Sequence, residues 1–172
     1  MKAITLNIFA VLLFSAYTFG QSENLTRSEK IEAFKIQQKC VADASEKEEW
    51  SMVAPCARKS LAILEDLLGK KHRSVALITY EYGLALGYVE NIVESERILK
   101  LAVKRYEEIF GNDSSELIPI LLDYAVAINN VGDFERNSPV SVYSRAFKIF
   151  KNDRNFDRID YADMVSNACL LY

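Results

Sequence analysis

Two stretches of the chain decide its fold because they align with each other: SLAILEDLLG at residues 60–69 and AVKRYEEIFG at residues 102–111, an offset of 42 positions. The same offset places YGLA at residues 82–85 on YAVA at residues 124–127. A period that is found twice with independent residues indicates an internal repeat, and periods of roughly 20–50 residues are typical of solenoids and related arrays.

Each period contains two helical patterns. The first runs from about residue 74 to 90 and the second from about 93 to 110, and in both the apolar residues recur at helical spacing. Gly69 and Gly111 end the longer helices, since glycine accepts the positive φ that commonly follows a helix. No stretch of the sequence alternates as a strand would, so we predict an all-α chain of antiparallel helix pairs.

Within one period, small residues fall at Gly83, Ser95 and Ala102, and Leu86 and Leu99 are the large apolar residues between them. This pattern resembles the tetratricopeptide signature, in which small side chains let two helices approach closely. The resemblance implies a right-handed superhelical stack of antiparallel helix pairs, which is a tetratricopeptide-like solenoid.

The spacing between units sharpens this resemblance. The 42-residue period, with LGKKHRSVA at residues 68–76 between units, is similar to the kinesin-light-chain-like variety of these repeats. Carrying the register in both directions, with a two-residue insertion near residues 137–139, divides a repeat domain at 21–172 into helical units. The expected units are helix pairs at about 28–68, 74–110 and 115–152, and a final single helix at about 159–172.

The first twenty residues form a separate segment. Lys2 gives a positive start, a mostly apolar stretch follows, and Thr18 and Gly20 are small residues at the spacing that signal peptidase prefers. We expect residues 1–20 to be a secretory signal peptide, so that the mature chain is exported, to the periplasm if the source is bacterial. A retained membrane anchor is the alternative, although the stretch is short for a spanning helix of roughly 20 apolar residues. No other stretch is long and apolar enough to span a membrane after cleavage.

Composition limits the functions that fit. The chain has 21 basic and 24 acidic residues, so its net charge of −3 gives no basic surface, and we expect no nucleic-acid partner. The one histidine, His72, lies between two repeats, where a role in shaping the turn is favoured over catalysis. The sequence has no phosphate-binding glycine loop and no nucleophile elbow. We therefore predict no enzymatic activity, no metal and no cofactor.

Three cysteines need separate treatment because an exported chain meets an oxidising compartment. Cys40 and Cys56 are placed near each other by the antiparallel register of the first pair, so a disulfide is favoured. Two reduced, buried thiols are the alternative. Cys169 falls at the repeat position of Gly83, and it is left over as an odd cysteine.

In the tetratricopeptide family, the first helix of each pair lines a concave groove that holds a peptide or a partner helix. On this resemblance, the groove residues are Gln38, Lys39, Tyr80, Glu81, Leu84, Tyr88, Asp123, Asn129 and Asn130. The two asparagines suit this role because their amides can both donate to and accept from an extended peptide backbone. Packing between helix pairs is the alternative for the stripe formed by Tyr80, Leu84 and Tyr88.

These features predict an exported helical-repeat scaffold that binds a protein or peptide partner in its concave groove. The sequence stops within a fourth unit, at Leu170-Leu171-Tyr172. One interpretation is that the last helix caps the stack, and self-association through this unfinished repeat is a further expectation. The alternative is an amino-terminal repeat module of a larger bacterial envelope protein, for example one that resembles the TonB type.

Overall fold

A computed structural model describes residues 25–134 and 138–152 of the chain. The described part forms six α-helices and one short 3₁₀ turn at Ser115–Leu117, and it contains no strand, which confirms the predicted all-α class. The helices are α1 (Arg27–Glu46), α2 (Trp50–Leu68), α3 (Arg73–Tyr88), α4 (Ile92–Phe110), α5 (Ile118–Val131) and α6 (Pro139–Asn152). The expected signal peptide at 1–20, the expected helix at 159–172 and Cys169 lie outside the described residues.

Polar side chains begin two of these helices. Thr26 and Glu29 form a reciprocal capping box at the start of α1, which satisfies two backbone N–H groups that have no partner within the helix. His72 caps α3, because its Nδ1 accepts a hydrogen bond from the backbone N–H of Ser74 at 3.1 Å. The one histidine of the sequence therefore has a structural partner at the turn where the sequence places it.

Each helix packs mainly against the next helix along the chain. In the first pair, early residues of α1 meet late residues of α2: the Nζ of Lys30 lies 2.5 Å from a carboxylate oxygen of Asp66, so the two helices run antiparallel. Cys40 and Cys56 form a disulfide across the same interface, with their Cα atoms 6.1 Å apart. The first pair is thus held by a covalent bond as well as by packing.

The α3–α4 interface is set by small residues. An added Cβ at Gly83 would lie 2.8 Å from both Cγ and Cδ2 of Leu99, so the helices approach too closely there for any larger residue. Ser95 is buried in the same interface and donates a hydrogen bond from its Oγ to the backbone carbonyl of Gly83 at 2.7 Å. Ala102 is completely buried about two turns after Ser95.

Backbone conformation repeats along the described part of the chain. Its five residues with positive φ fall into two series, and within each series the members are 42 positions apart. One series lies in the turns between the two helices of a pair and consists of Glu48, Glu90 and Gly132, with φ of 57°, 60° and 74°. The other follows α2 and α4 and consists of Gly69 and Gly111, with φ of 77° and 88°. The φ pattern therefore recurs from pair to pair, although the connection into α5 contains the additional 3₁₀ turn.

The buried apolar side chains follow the order of the helices. One core cluster joins α1, α2, α3 and α4, and another joins α3, α4, α5 and α6. In α6, Tyr143, Ala146 and Ile149 are buried, which is the face expected if two residues are inserted before this helix. None of the helices in the two described ranges is long and apolar enough to cross a membrane.

Ion pairs link the second helices of successive pairs. Arg105 of α4 contacts Glu65 of α2, and Arg145 of α6 contacts Glu107 of α4, with 2.5 Å between the nitrogen and the oxygen in the second pair. The two glutamates are 42 positions apart, so they occupy the same place in the period.

Candidate functional site

A cleft opens where α3, α4 and α5 meet. Its volume is about 250 Å³, and four of the predicted groove residues line it: Leu84, Tyr88, Asp123 and Asn130. Leu84 and Tyr88 lie one turn apart on α3, and Asp123 and Asn130 lie two turns apart on α5. Helical spacing alone therefore brings the two side chains of each helix to one face, and packing on α4 brings the two faces together.

A fifth predicted residue, Tyr80, ties α3 to α5 beside this cleft. Its hydroxyl donates a short hydrogen bond to Oδ2 of Asp123. Burial raises the pKa of the Tyr80 hydroxyl well above its ordinary value, and the hydrogen bond and negative charge of Asp123 act in the same direction. Tyr80 is thus a neutral donor at ordinary pH, and its role is partly structural.

Asp123 is the carboxylate of the cleft. Burial raises its pKa, and the hydrogen bond from Tyr80 acts in the opposite direction. Its second oxygen, Oδ1, has no hydrogen-bond or ion-pair partner among the described residues. A half-buried carboxylate in this state can still accept hydrogen bonds from a bound group.

Tyr88 lies at the open side of the cleft, with 62% of its surface exposed. Its ring stacks on that of Trp50, with the ring centroids 4.1 Å apart and an angle of 13° between the ring planes. Trp50 is the first residue of α2, so this contact joins the first helix pair to the second. The stack restricts an aromatic side chain that would otherwise be free in solvent.

The other predicted groove residues do not line the cleft. Gln38 donates from its Nε2 to Oγ of Ser60 at 3.2 Å, so its amide is used within the α1–α2 interface. Lys39 is exposed on α1 and pairs with Asp43 one turn away. Glu81 is half-buried on α3, and burial raises its pKa. Asn129 is half-buried beside Asn130.

Six further residues line the cleft and were not predicted from the sequence: Gly87, Ile92, Ser95, Leu99, Val126 and Ala127. Val126 could have been predicted from the sequence. It stands three residues after Asp123 and four before Asn130, which places all three on one face of α5. Leu99 could not have been predicted as a cleft residue, since a buried leucine at that position is explained by helix packing alone.

A second, wider cleft of about 730 Å³ runs between α2 and α4. Leu61, Ile98 and Leu101 form part of its apolar lining. On its charged border, Arg97 and Glu94 already pair with each other, at 2.6 Å between nitrogen and oxygen. This cleft contains none of the predicted groove residues.

Within the described residues, no group of three or more histidine, cysteine, aspartate or glutamate side chains is arranged to hold a metal ion. Comparison of the chain with protein-family models and with curated proteins gives no match. The geometry of the cleft between α3, α4 and α5 is therefore the basis for a functional assignment.

Proposed function

We propose that this chain is an exported helical-repeat scaffold of the tetratricopeptide type, which binds a segment of a partner protein in the groove between its first helices and performs no catalysis. The observation that carries the proposal is the meeting of Leu84, Tyr88, Asp123 and Asn130 around one cleft. These residues come from two first helices, α3 and α5, as a peptide groove of this family requires.

The repeated backbone geometry supports the tetratricopeptide part of the proposal. The helices α2 and α4 have the same length of 19 residues and begin 42 positions apart. The two series of positive φ angles follow the same period. Similar turns at a constant period favour a similar rotation from one pair to the next, which in this family gives a superhelix with a concave side.

The cleft suits a peptide because it combines apolar walls with exposed polar groups. Leu84 and Val126 provide apolar contact, and Asn130 presents an exposed amide that can donate to and accept from a peptide backbone. On the same face of α3, Leu77 is 44% exposed, which extends the apolar surface along the groove. An extended segment of several residues would bury these side chains.

Fixed side chains favour binding by lowering the entropy lost when a partner docks. Tyr80 and Asp123 hold each other across α3 and α5, and Tyr88 is held against Trp50. Ordering a free, rotamer-rich side chain costs about 0.5–1.5 kcal/mol on association, and these contacts meet part of that cost in the unbound protein.

Binding without chemistry fits the polar groups of the cleft. The Ser95 hydroxyl donates to the carbonyl of Gly83, so it has no neighbouring base to activate it. Asp123 is the one carboxylate among the described residues that line the cleft, so these residues offer no pair of carboxylates for acid–base work.

The proposal is tested by panning a random peptide display library against the purified chain. Selected peptides are then measured by fluorescence anisotropy on Tyr88→Ala/Asn130→Ala. We expect binding to weaken at least about tenfold, because truncated aromatic anchors of an interface commonly cost 1–2 kcal/mol or more. The matched control is Phe134→Ala/Asn112→Ala, which removes an exposed aromatic ring and an exposed amide outside the cleft.

Failure to select any peptide would contradict the proposal, as would equal weakening by the cleft pair and by the control pair. Circular dichroism of all variants separates loss of binding from loss of folding. Export is tested separately, by the mass of the mature protein with and without a reductant, which reports cleavage near Gly20 and the state of the disulfide.

A further inference from the structure

We propose that the cleft between α3, α4 and α5 accepts one lysine side chain of the partner segment, with its alkyl stem against the apolar walls and its ammonium group on Oδ1 of Asp123. This inference rests on the proposed function and names the chemistry that the groove selects. It predicts a lysine within the bound segment of the partner.

The size of the cleft limits its occupant. Clefts for drug-sized molecules usually measure roughly 300–1,000 Å³. The cleft here measures about 250 Å³, which suits one long side chain rather than a cofactor or a packed helix. Leu84 and Val126 offer apolar contact to the stem of such a side chain.

The charge of the cleft calls for a cation. Among the described residues that line the cleft, Asp123 is the only charged one, and none is a lysine or an arginine. Burial raises the pKa of Asp123, so its charge is held in the protein at a cost. An ammonium group bound at Oδ1 offsets that cost, because an ion pair in a partly desolvated site is stronger than one in water.

The geometry favours lysine over arginine. Arginine binds a carboxylate best through two parallel hydrogen bonds to both oxygens. At Asp123, Oδ2 already accepts the hydrogen bond from Tyr80, so a bidentate arginine would have to share Oδ2 with that hydroxyl, whereas Oδ1 keeps its full accepting capacity. The compact ammonium of lysine needs one acceptor and carries a flexible apolar stem, which matches a single free oxygen at the side of an apolar cleft.

The test uses the peptides selected by panning a random display library on the purified chain. Each lysine of a selected peptide is replaced in turn by norleucine, which keeps the stem and removes the charge, and by arginine. We expect one lysine at which replacement by norleucine weakens binding about 10- to 100-fold, in line with the strength of charge-assisted hydrogen bonds. Replacement of the same lysine by arginine should weaken binding less than norleucine does, but should not restore the affinity of the lysine peptide.

The protein partner of this experiment is Asp123→Asn. Asparagine keeps a carbonyl oxygen for the Tyr80 hydroxyl and removes the charge, so the fold is preserved while the proposed contact is lost. We expect Asp123→Asn to bind the lysine and norleucine peptides equally well. The matched control, Asp113→Asn, changes an exposed aspartate outside the cleft and should keep the full preference for lysine.

The outcomes separate this inference from the proposed function. Peptides that bind in the cleft, lose affinity with Tyr88→Ala/Asn130→Ala, but show no lysine preference would overturn the lysine inference and leave the groove intact. Preference for arginine, or a lysine preference that survives in Asp123→Asn, also overturns it. If no peptide binds at all, both the groove and its lysine pocket are rejected.

Discussion

The second and third helix pairs each use an arginine–glutamate ion pair, in which the glutamates share a repeat position but the arginines and their surroundings differ. Arg105 of α4 is only 7% exposed along its side chain, and it reaches both Glu65 of α2 and the hydroxyl of Thr79 in α3. Arg145 of α6 is 33% exposed, and it contacts Glu107 and the backbone carbonyl of Asn112. One pair connects three helices in the interior, and the other lies at the edge of its interface.

This difference indicates that this kind of contact contributes unequally to stability along the chain. Glu65 and Glu107 are equally exposed, at 26% of each side chain, so the difference lies in the arginines: Arg105 is buried and depends on its protein partners, whereas Arg145 is also solvated by water. The hydroxyl of Thr79 donates onward to the carbonyl of Val75 at 2.6 Å, so Arg105 belongs to a chain of hydrogen bonds within the protein. We expect the α2–α3–α4 junction to depend on its ion pair far more than the α4–α5–α6 junction does.

The largest expected effect is that of Arg105→Ala. We expect the free energy of unfolding to fall by about 2–4 kcal/mol, because Glu65 and Thr79 lose a hydrogen-bonding partner and removal of the buried apolar stem of the arginine leaves a cavity. Urea denaturation followed by circular dichroism measures the change. A loss below 1 kcal/mol would mean that water replaces the guanidinium and that burial does not distinguish the two junctions.

Gly83→Ala compares the close approach of α3 and α4 with the equivalent contact of α5 and α6. The added methyl group meets Leu99 at 2.8 Å, so we expect a loss of about 1–3 kcal/mol despite the better helix propensity of alanine. The control is Ala125, which stands 42 positions later and already carries a fully buried methyl group. If Gly83→Ala stabilises the protein, the α3–α4 interface has room for a methyl group, as the α5–α6 interface has at Ala125. The expected difference in spacing between the two interfaces would then be wrong.

Arg145→Ala gives the counterpart of the first prediction. We expect a loss of about 1 kcal/mol, since both members of its ion pair keep access to water. The same urea denaturation experiment applies, and repeating it at high salt should reduce the effect of Arg145→Ala more than that of Arg105→Ala. Equal losses for the two variants would contradict the unequal roles of the junctions.

The smallest expected effect has the opposite sign. Glu90 adopts a φ of 60° in the turn between α3 and α4, where the third pair has Gly132. Glu90→Gly should stabilise the protein by about 0.5 kcal/mol, because removal of the left-handed strain exceeds the larger chain entropy of glycine. Gly132→Ala should destabilise the protein by about 1 kcal/mol, because alanine is strained at the positive φ of this position. Thermal denaturation of both variants checks the pair, and a destabilised Glu90→Gly would show that the turn carries little strain.

The sequence was sufficient for the helical class and for the residues at which helices approach each other. The resemblance of Gly83, Ser95 and Ala102 to the tetratricopeptide signature implies a close approach of helices, and all three residues are buried in the structure. Such features depend on local periodicity, which a sequence displays directly. The tetratricopeptide resemblance implies a groove face, and helical spacing then gives its residues. Four of these line the cleft: Leu84, Tyr88, Asp123 and Asn130.

Contacts between side chains of different helices could not be predicted in the same way. The hydrogen bond of Tyr80 to Asp123 joins residues 43 positions apart, and the stack of Tyr88 on Trp50 depends on the rotation between two helix pairs. Gln38 was placed in the groove by register, but its amide lies close enough to Ser60 to bond within the α1–α2 interface. Each of these contacts depends on how far and in which direction a side chain extends from its helix. A pattern of residue types does not show this.

The disulfide also has a consequence for the mechanics of the chain. Cys40 and Cys56 are 16 positions apart and lie within one helix pair, so their bond crosses no boundary between pairs. A pull on the two ends of the chain therefore separates successive pairs at their noncovalent junctions, while the residues inside the loop carry no tension. At about 3.3–3.6 Å per extended residue, the oxidised protein stretches roughly 50 Å less than the reduced one. The disulfide thus shortens the length to which the first pair can be extended. The resistance of the groove to stretching depends on its ion pairs and buried side chains.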